Sequence, residues 1–309
     1  MSDGVRTVLI VLNWNGCDDT LRCLASCASL DAPATIVVVD NGSSDDSVAA
    51  VRGAHPDVVV LETGSNLGFS AGNNVGIQWA LDHRYDVIGI LNNDTVLEPG
   101  FLAPLLAAIA GDPGGVAVSP EIRYLARPDD VWFAGARRDE RTGAFLHADL
   151  PEHERRGITS TPALTGCALV CHRSVWERVG RLDEWYFLLF EDSDWSARAV
   201  AAGLGLQVVH DSILLHAVSA TIVARASTAA DYYFLRNGIR FVRCHGPRPR
   251  RGAAAFVADR VRDDLRQARR GSPRAALVTA AFQVRGLVDG IRGRGGPLHP
   301  GPVLRALNT

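Results

Sequence analysis

The sequence contains no lysine: all 32 of its basic residues are arginine. That absence excludes a P-loop lysine, a Schiff-base lysine and a lysine placed on a transferred phosphate. None of the six cysteines forms a C-x-x-C pair. Cys23 and Cys27 share one helix face, and Cys167 and Cys171 one strand face, which predicts buried structural thiols rather than zinc ligands. No apolar run approaches the ~20 residues needed to span a bilayer, and no basic region followed by a hydrophobic core opens the chain. A cytoplasmic location is expected, with peripheral contact at the inner face of the membrane left open. The first strand is followed only by Asn15-Gly16, not by G-x-G-x-x-G, which disfavours a dinucleotide-binding dehydrogenase. There is no internal repeat and no low-complexity tract.

What is present is ordinary for a globular protein: 309 residues, 47% apolar and 21% charged. The net charge of -2 hides an asymmetry, because from Pro247 onward thirteen arginines face four aspartates, a local net of +9. Two regions follow, residues 1–245 and a basic appendage over 246–309; within the first, a change of character after Ser119 divides residues 1–119 from 120–245. In the appendage, Leu277, Ala281, Val284, Val288 and Ile291 keep helical spacing, as do Val257, Val261 and Leu265. This predicts helices that pack or dimerise, with membrane-surface contact as the other reading. No recognition module accompanies the basic tail, so no nucleic-acid partner is expected.

Along the chain, apolar β-branched runs at Thr7–Leu12, Thr35–Val39, Val58–Leu61 and Val87–Leu91 predict strands. Helical spacing joins them over Thr20–Ala28 and Val75–Leu81, and each strand ends in a polar, glycine-bearing loop. Such alternation builds a parallel sheet whose loops line one crevice, the edge where open α/β sheets bind ligands. Further strands are expected at Gly114–Ser119, Cys167–Cys171, Leu206–Val209 and Ile213–Leu215. Hairpins are expected between Asp130 and Leu150. Ser174 is the expected cap of a helix from Val175, and helices are read at Ser196–Ala202 and Tyr232–Val242. At the crevice, Asp40 offers a carboxylate to a ribose or base and Trp14 a flat face for stacking. Asp40 before Asn-Gly also reads as an ordinary turn residue. Asn92-Asn93-Asp94 is either a diphosphate and metal site or a polar strand-to-helix loop.

These residues resemble the family 2 glycosyltransferases of the GT-A fold, in particular their rhamnosyltransferase-like branch. The resemblance runs from about Val8 to Val242. It rests on Asn13-Trp14-Asn15-Gly16, Val38-Val39-Asp40-Asn41-Gly42-Ser43, Asn66-Leu67-Gly68-Phe69 through Asn74, Leu91 to Thr95, Gly166, Glu191-Asp192, His216, Tyr232-Tyr233 and Arg236-Asn237. It implies a mostly parallel central sheet flanked by helices, with the helical appendage added, and inverting transfer of a sugar from a nucleoside diphosphate donor. Carried over by motif, the backbone near Leu12, with Trp14, Asp40, Asn66, Asn74 and Asn93, surrounds the nucleotide. Asp94 matches the last carboxylate of a D-x-D-type motif whose first position is Asn92, and His216, 24 positions after Asp192, completes a Mg²⁺ or Mn²⁺ site. Asp192 matches the catalytic base. Gly166, Trp185, Tyr186 and Glu191 are expected to meet the acceptor: a carbohydrate, a lipid-linked sugar or a small-molecule natural product. The plain alternative for Glu191, Asp192 and Asp194 is favourable charge at a helix N-terminus. For Arg236 the choice lies between the diphosphate and a structural salt bridge. The other functional classes are a sugar nucleotidyltransferase, disfavoured by the missing lysines, and an inactive sugar-nucleotide-binding protein.

Overall fold

The computed structural model describes residues 4–218, 220–268 and 273–299. Strand β1 (Thr7–Asn13) is buried along nearly its whole length. Its unbroken apolar run is what a strand covered on both faces requires. It lies between β2 (Thr35–Asp40) and β4 (Val87–Asn92), parallel to both, and β3 (Val59–Glu62) follows beyond β2. Three helices serve as connections: α1 (Cys17–Cys27), α2 (Ser47–Ala54) and α3 (Gly68–Asp82).

After β4 come β5 (Thr95–Leu97), α4 (Leu102–Gly111), β6 (Val116–Tyr124), β7 (Arg127–Phe133) and the hairpin β8 (Ala136–Arg138) and β9 (Phe145–His147). There follow β10 (Ile158–Ser160), β11 (Ala168–His172), α5 (Arg173–Val179), α6 (Glu191–Ala201) and β12 (Gly205–His216). Among the described residues the main sheet has ten strands, in the order β10-β12-β6-β11-β4-β1-β2-β3, with β5 on β12 and β7 on β6. β11 runs antiparallel to β4 and β6, so β6 and β12 return to the direction of β1 and deliver His216 to the same edge as Asn92.

Two apolar layers close the sheet. One joins Leu9, Val11, Val38 and Val118 to Leu24 of α1 and to Leu102 and Leu105 of α4. The other joins Val8, Ile10 and Ile88 to Ile77 of α3, Trp176 of α5 and Trp195 of α6. Cys167 belongs to the first layer and Cys171 to the second, which corrects the expectation of a shared strand face. β11 begins only at Ala168, and the turn before it breaks the alternation.

Other boundaries shift for local reasons. α3 starts at Gly68, so most of the expected loop Asn66–Asn74 is helix. A Cβ on Gly72 or Gly76 would stand 2.6 Å from Leu12 or 2.5 Å from Ile10, so glycine brings this helix onto β1. Helix α5 is capped by His172, whose ring accepts from the Ser174 amide, rather than by Ser174 itself. The two short strands expected near Val209 and Ile213 are one strand with a bulge between them.

The C-terminal part forms α7 (Ala220–His245), α8 (Pro249–Ala268) and α9 (Pro273–Arg292). α8 buries Phe256 against Phe190 and Phe241, while α9 buries Phe282 with Tyr232 and Tyr233. The side chain of Leu265 lies outside the described residues.

Candidate active site

The crevice is built around Asn13, the last residue of β1. Its Nδ2 donates to Asp40 Oδ1 at 3.0 Å and Ser43 Oγ at 3.1 Å. Its Oδ1 accepts from Thr20 Oγ1 at 2.8 Å, the Gly16 amide at 3.2 Å and Asn93 Nδ2 at 3.2 Å. One buried side chain therefore ties together the ends of β1, β2 and β4. Asn41 does the same one layer out, donating to Asn66 Oδ1 and the Gly68 carbonyl and accepting from the Leu67 amide. Neither asparagine stands among the expected site residues. The available signal was an asparagine at or just after the end of two neighbouring strands.

Asp40 also accepts from the Ser43 amide at 3.0 Å, so the turn reading applies to it, and it still borders the crevice. Trp14 stands at the mouth, 54% exposed, with its ring face available. Leu12 pairs on one side with Val39 and on the other with Asn92. Asn93 spends its amide group on Asn13, Gly16 and Thr20, which makes it a strut of the loop. Asn74 needs correction as a nucleotide contact. Its Nδ2 donates to the Leu182 carbonyl and Glu184, and its Oδ1 accepts from the Leu182 amide. Those three bonds commit it to holding the 182–184 segment on α3.

Asp94 and His216 meet at the opposite wall. β5 pairs with β12 so that Thr95 faces His216, and His216 Nε2 lies 3.1 Å from Asp94 Oδ1, both residues buried. Trp132 supports the imidazole edge-on at 4.6 Å. Among the described residues no cluster of three or more His, Cys, Asp or Glu side chains could hold a metal ion. Two donors remain, and they fit a divalent ion completed by other oxygens: ligands at about 2.1 Å on adjacent octahedral positions stand roughly 3 Å apart. The second imidazole nitrogen, Nδ1, is buried and has no partner among the described residues. Asn92 stands beside Asp94, with its carbonyl taken by Thr95 Oγ1.

Asp192 is the second residue of α6, so a helix N-terminus favours its charge. Its Oδ2 accepts from the Gly166 amide at 3.0 Å and its Oδ1 from the Ser193 amide at 2.6 Å. Gly166 fits closely there: a Cβ would come 3.0 Å from the Phe69 ring, so one of the two would have to shift. The next residue, Cys167, accepts the Asn92 amide at its carbonyl, which joins the Asp192 wall to the Asp94 loop. The Cys167 thiol is pushed well up by burial, and next by the negative charge of Asp94, with Asp192 also contributing.

Glu191 is not presented to an acceptor. It is buried behind Asp192, its Oε2 has no partner, and burial, reinforced by the Asp192 charge, raises its carboxyl well above the ordinary range. Asp194 is structural, held by Arg198 Nε and His245 Nε2 at 2.8 Å each. Burial opposes its ionised form, yet those two partners outweigh it and keep the carboxyl low.

The aromatic segment before α6 is corrected as an acceptor wall. Tyr186 is fully buried. Trp185 lies under Arg236 and Arg240 and against Gly295, with its carbonyl taken by the Gly296 amide. Phe187 stacks on Tyr233, and Phe190 packs on Phe234 and Phe256. These rings are consumed in seating α7 and α8. Among the described residues no carboxylate pairs with Arg236. It is fully buried between Trp185, Tyr232 and Tyr233 and donates to carbonyls of Trp185 and Gly296.

A mostly parallel sheet with asparagine-tied loops, a carboxylate and histidine pair on one wall and a helix-borne carboxylate on the other defines a nucleotide-sugar transferase. The model of glycosyl transferase family 2 matches residues 8–178, and the chain belongs to that family. It is a glycosyltransferase. It is 29% identical over 241 residues to N-acetylglucosaminyl-diphospho-decaprenol L-rhamnosyltransferase of Mycobacterium tuberculosis, covering 69% of this chain and 76% of that protein. A low-salt glycan biosynthesis hexosyltransferase of Haloferax volcanii is 26% identical over 201 residues, covering 62% of this chain and 60% of that one. In fold it is similar to a mannosyltransferase of Pyrobaculum calidifontis in complex with GDP-Man and Mn²⁺, with a TM-score of 0.55 at 18% identity over 93% of this chain and 87% of that one. It is also similar to GalNAc-T7 with UDP, GalNAc and Mn²⁺, with a TM-score of 0.60 at 17% identity over 77% of this chain, which spans about half (51%) of that protein.

Proposed function

We propose that this glycosyltransferase works with inversion, moving rhamnose or a related hexose or deoxyhexose from a nucleoside diphosphate to a hydroxyl of a lipid-linked sugar or other glycan. The observation that carries the reading is the pairing of Asp94 with His216 on one wall of the crevice and Asp192 on the other. The relative named for rhamnosyl transfer to a decaprenol-linked sugar favours that donor and acceptor class.

In this reading Asp40 and the Trp14 face hold the nucleoside. Asp94 and His216, with Asn92 as a neutral neighbour, would hold Mg²⁺ or Mn²⁺, which when bound neutralises charge on the diphosphate. Asp192 takes the proton of the acceptor hydroxyl as that oxygen bonds to the anomeric carbon. The bond from that carbon to the diphosphate breaks on the opposite face, and the nucleoside diphosphate leaves. Bonds from the Gly166 and Ser193 amides fix the carboxylate.

The test is a panel of dTDP-rhamnose, UDP-hexose and GDP-mannose, read by thermal shift and by acceptor-dependent nucleotide release with either metal. Asp94→Ala is expected to lower turnover roughly 100-fold or more and to remove the metal effect on donor binding, while Asn92→Asp preserves activity. Unchanged metal dependence in Asp94→Ala refutes the assignment.

A further inference from the structure

Helix α9 is apolar on two opposite faces. The face toward α7 is made for close approach: Phe282 is buried, and a Cβ on Gly286 or Gly290 would stand 2.5 Å from the Tyr232 carbonyl or 3.0 Å from that of Arg236. Of the stripe expected to pack, Ala281 packs beside Phe282 and Val288 is half-buried, whereas Leu277, Val284 and Ile291 point outward, each 61% exposed. At about 100° per residue, positions seven apart fall within a narrow band, so the three form one line along the helix.

Val284 and Ile291 are each followed by an arginine; Arg292 stands exposed at the flank of that line, while Arg285 is drawn inward to Asp289. The only acidic residue of α9, Asp289, is turned inward, where it takes Tyr232, Arg285 and Arg294. The outward face therefore combines apolar and basic side chains with no acid, inside a segment of net charge +9.

We infer that this face docks on an anionic lipid bilayer, with α9 lying in the interface. Leu277, Val284 and Ile291 enter the acyl boundary and Arg292 reaches the lipid phosphates. A second copy fits the face less well, since it would set arginines against arginines with no carboxylate to meet them. Helix α7, on which α9 is seated, also packs on Phe187 and Phe190 just before the helix of Asp192, so docking holds the crevice close to the bilayer. Only that last consequence rests on the lipid-linked acceptor reading; the docking itself does not.

The test is sedimentation of the full chain with vesicles of phosphatidylcholine alone or with added phosphatidylglycerol, alongside sizing in solution. Wild type is expected to sediment with the anionic vesicles only. The triple variant Leu277→Ser, Val284→Ser, Ile291→Ser, altered only on the solvent side, should keep its melting temperature and lose about tenfold or more in partitioning. Arg292→Gln should weaken binding and flatten its salt dependence. Should the triple variant fold poorly, Val284→Ser alone with Arg292→Gln decides the matter. No sedimentation, equal sedimentation with both vesicle types, or unchanged binding by the variants overturns the inference. So does a wild-type dimer that the triple variant abolishes. Because binding is read without turnover, failure here is distinct from failure of the transferase reading.

Discussion

Replacing Glu191 with glutamine keeps the shape of the side chain and removes its ionisation. Glu191 is 5% exposed, and burial first, then the neighbouring Asp192 charge, raise its carboxyl well above the ordinary value of 4.5. The folded chain then keeps a proton that the unfolded chain has released. Its stability contribution is complete below pH 4.5 and is lost as pH rises toward the raised folded value. Over that interval the unfolding free energy falls by about 1.4 kcal/mol per pH unit for one proton. Glutamine releases no proton, so the difference between the two proteins isolates this group. Urea denaturation across about pH 5 to 9 is expected to give a shallower decline for Glu191→Gln, with the variant the more stable protein at the alkaline end. Turnover should survive, because the side chain lies behind Asp192. Parallel stability curves would refute the reasoning, since they would mean that Glu191 is ionised in the folded protein.

Gly166→Ala places a methyl 3.0 Å from the Phe69 ring and displaces the amide that holds Asp192, so kcat should fall about tenfold or more with a small change in melting temperature. An unchanged kcat would show that this hydrogen bond does not position the base. Glu121 is also buried, but His210 Nδ1 at 2.9 Å, Arg123 and Arg155 outweigh the burial and hold its carboxyl below 4.5. Its stabilisation is present above that value and is lost as pH falls through the lower folded value. Glu121→Gln should therefore cost about 3 kcal/mol at neutral pH, and the gap should close in acid by urea titration.

The parallel strands and their crevice were legible because β1, β2 and β4 are apolar without interruption and end in asparagine or aspartate. Asp94, His216 and Asp192 were legible only as members of an ordered motif set, since neither their spacing nor their chemistry says which residues meet. Glycines hid the start of α3: locally Gly68 and Gly72 look like loop, but Gly72 lets the helix approach β1, and Gly68 takes a positive φ against Phe187. The aromatic residues 185–190 read as a sugar wall because their partners in α7 and α8 lie more than forty residues away. In α9 the apolar periodicity was visible, but the contact with α7 is made by Phe282 together with Gly286 and Gly290, which lie off that stripe. Periodicity alone therefore assigned the wrong face to packing.

The central claim is that Asp192 acts as the base for acceptor attack at the Asp94 and His216 edge. The most direct measurement is acceptor-dependent nucleotide release by Asp192→Asn, with donor binding followed in parallel by calorimetry. The expected result is donor affinity within a few fold of wild type together with a fall in kcat of about a thousandfold. Near-wild-type turnover in Asp192→Asn would contradict the account.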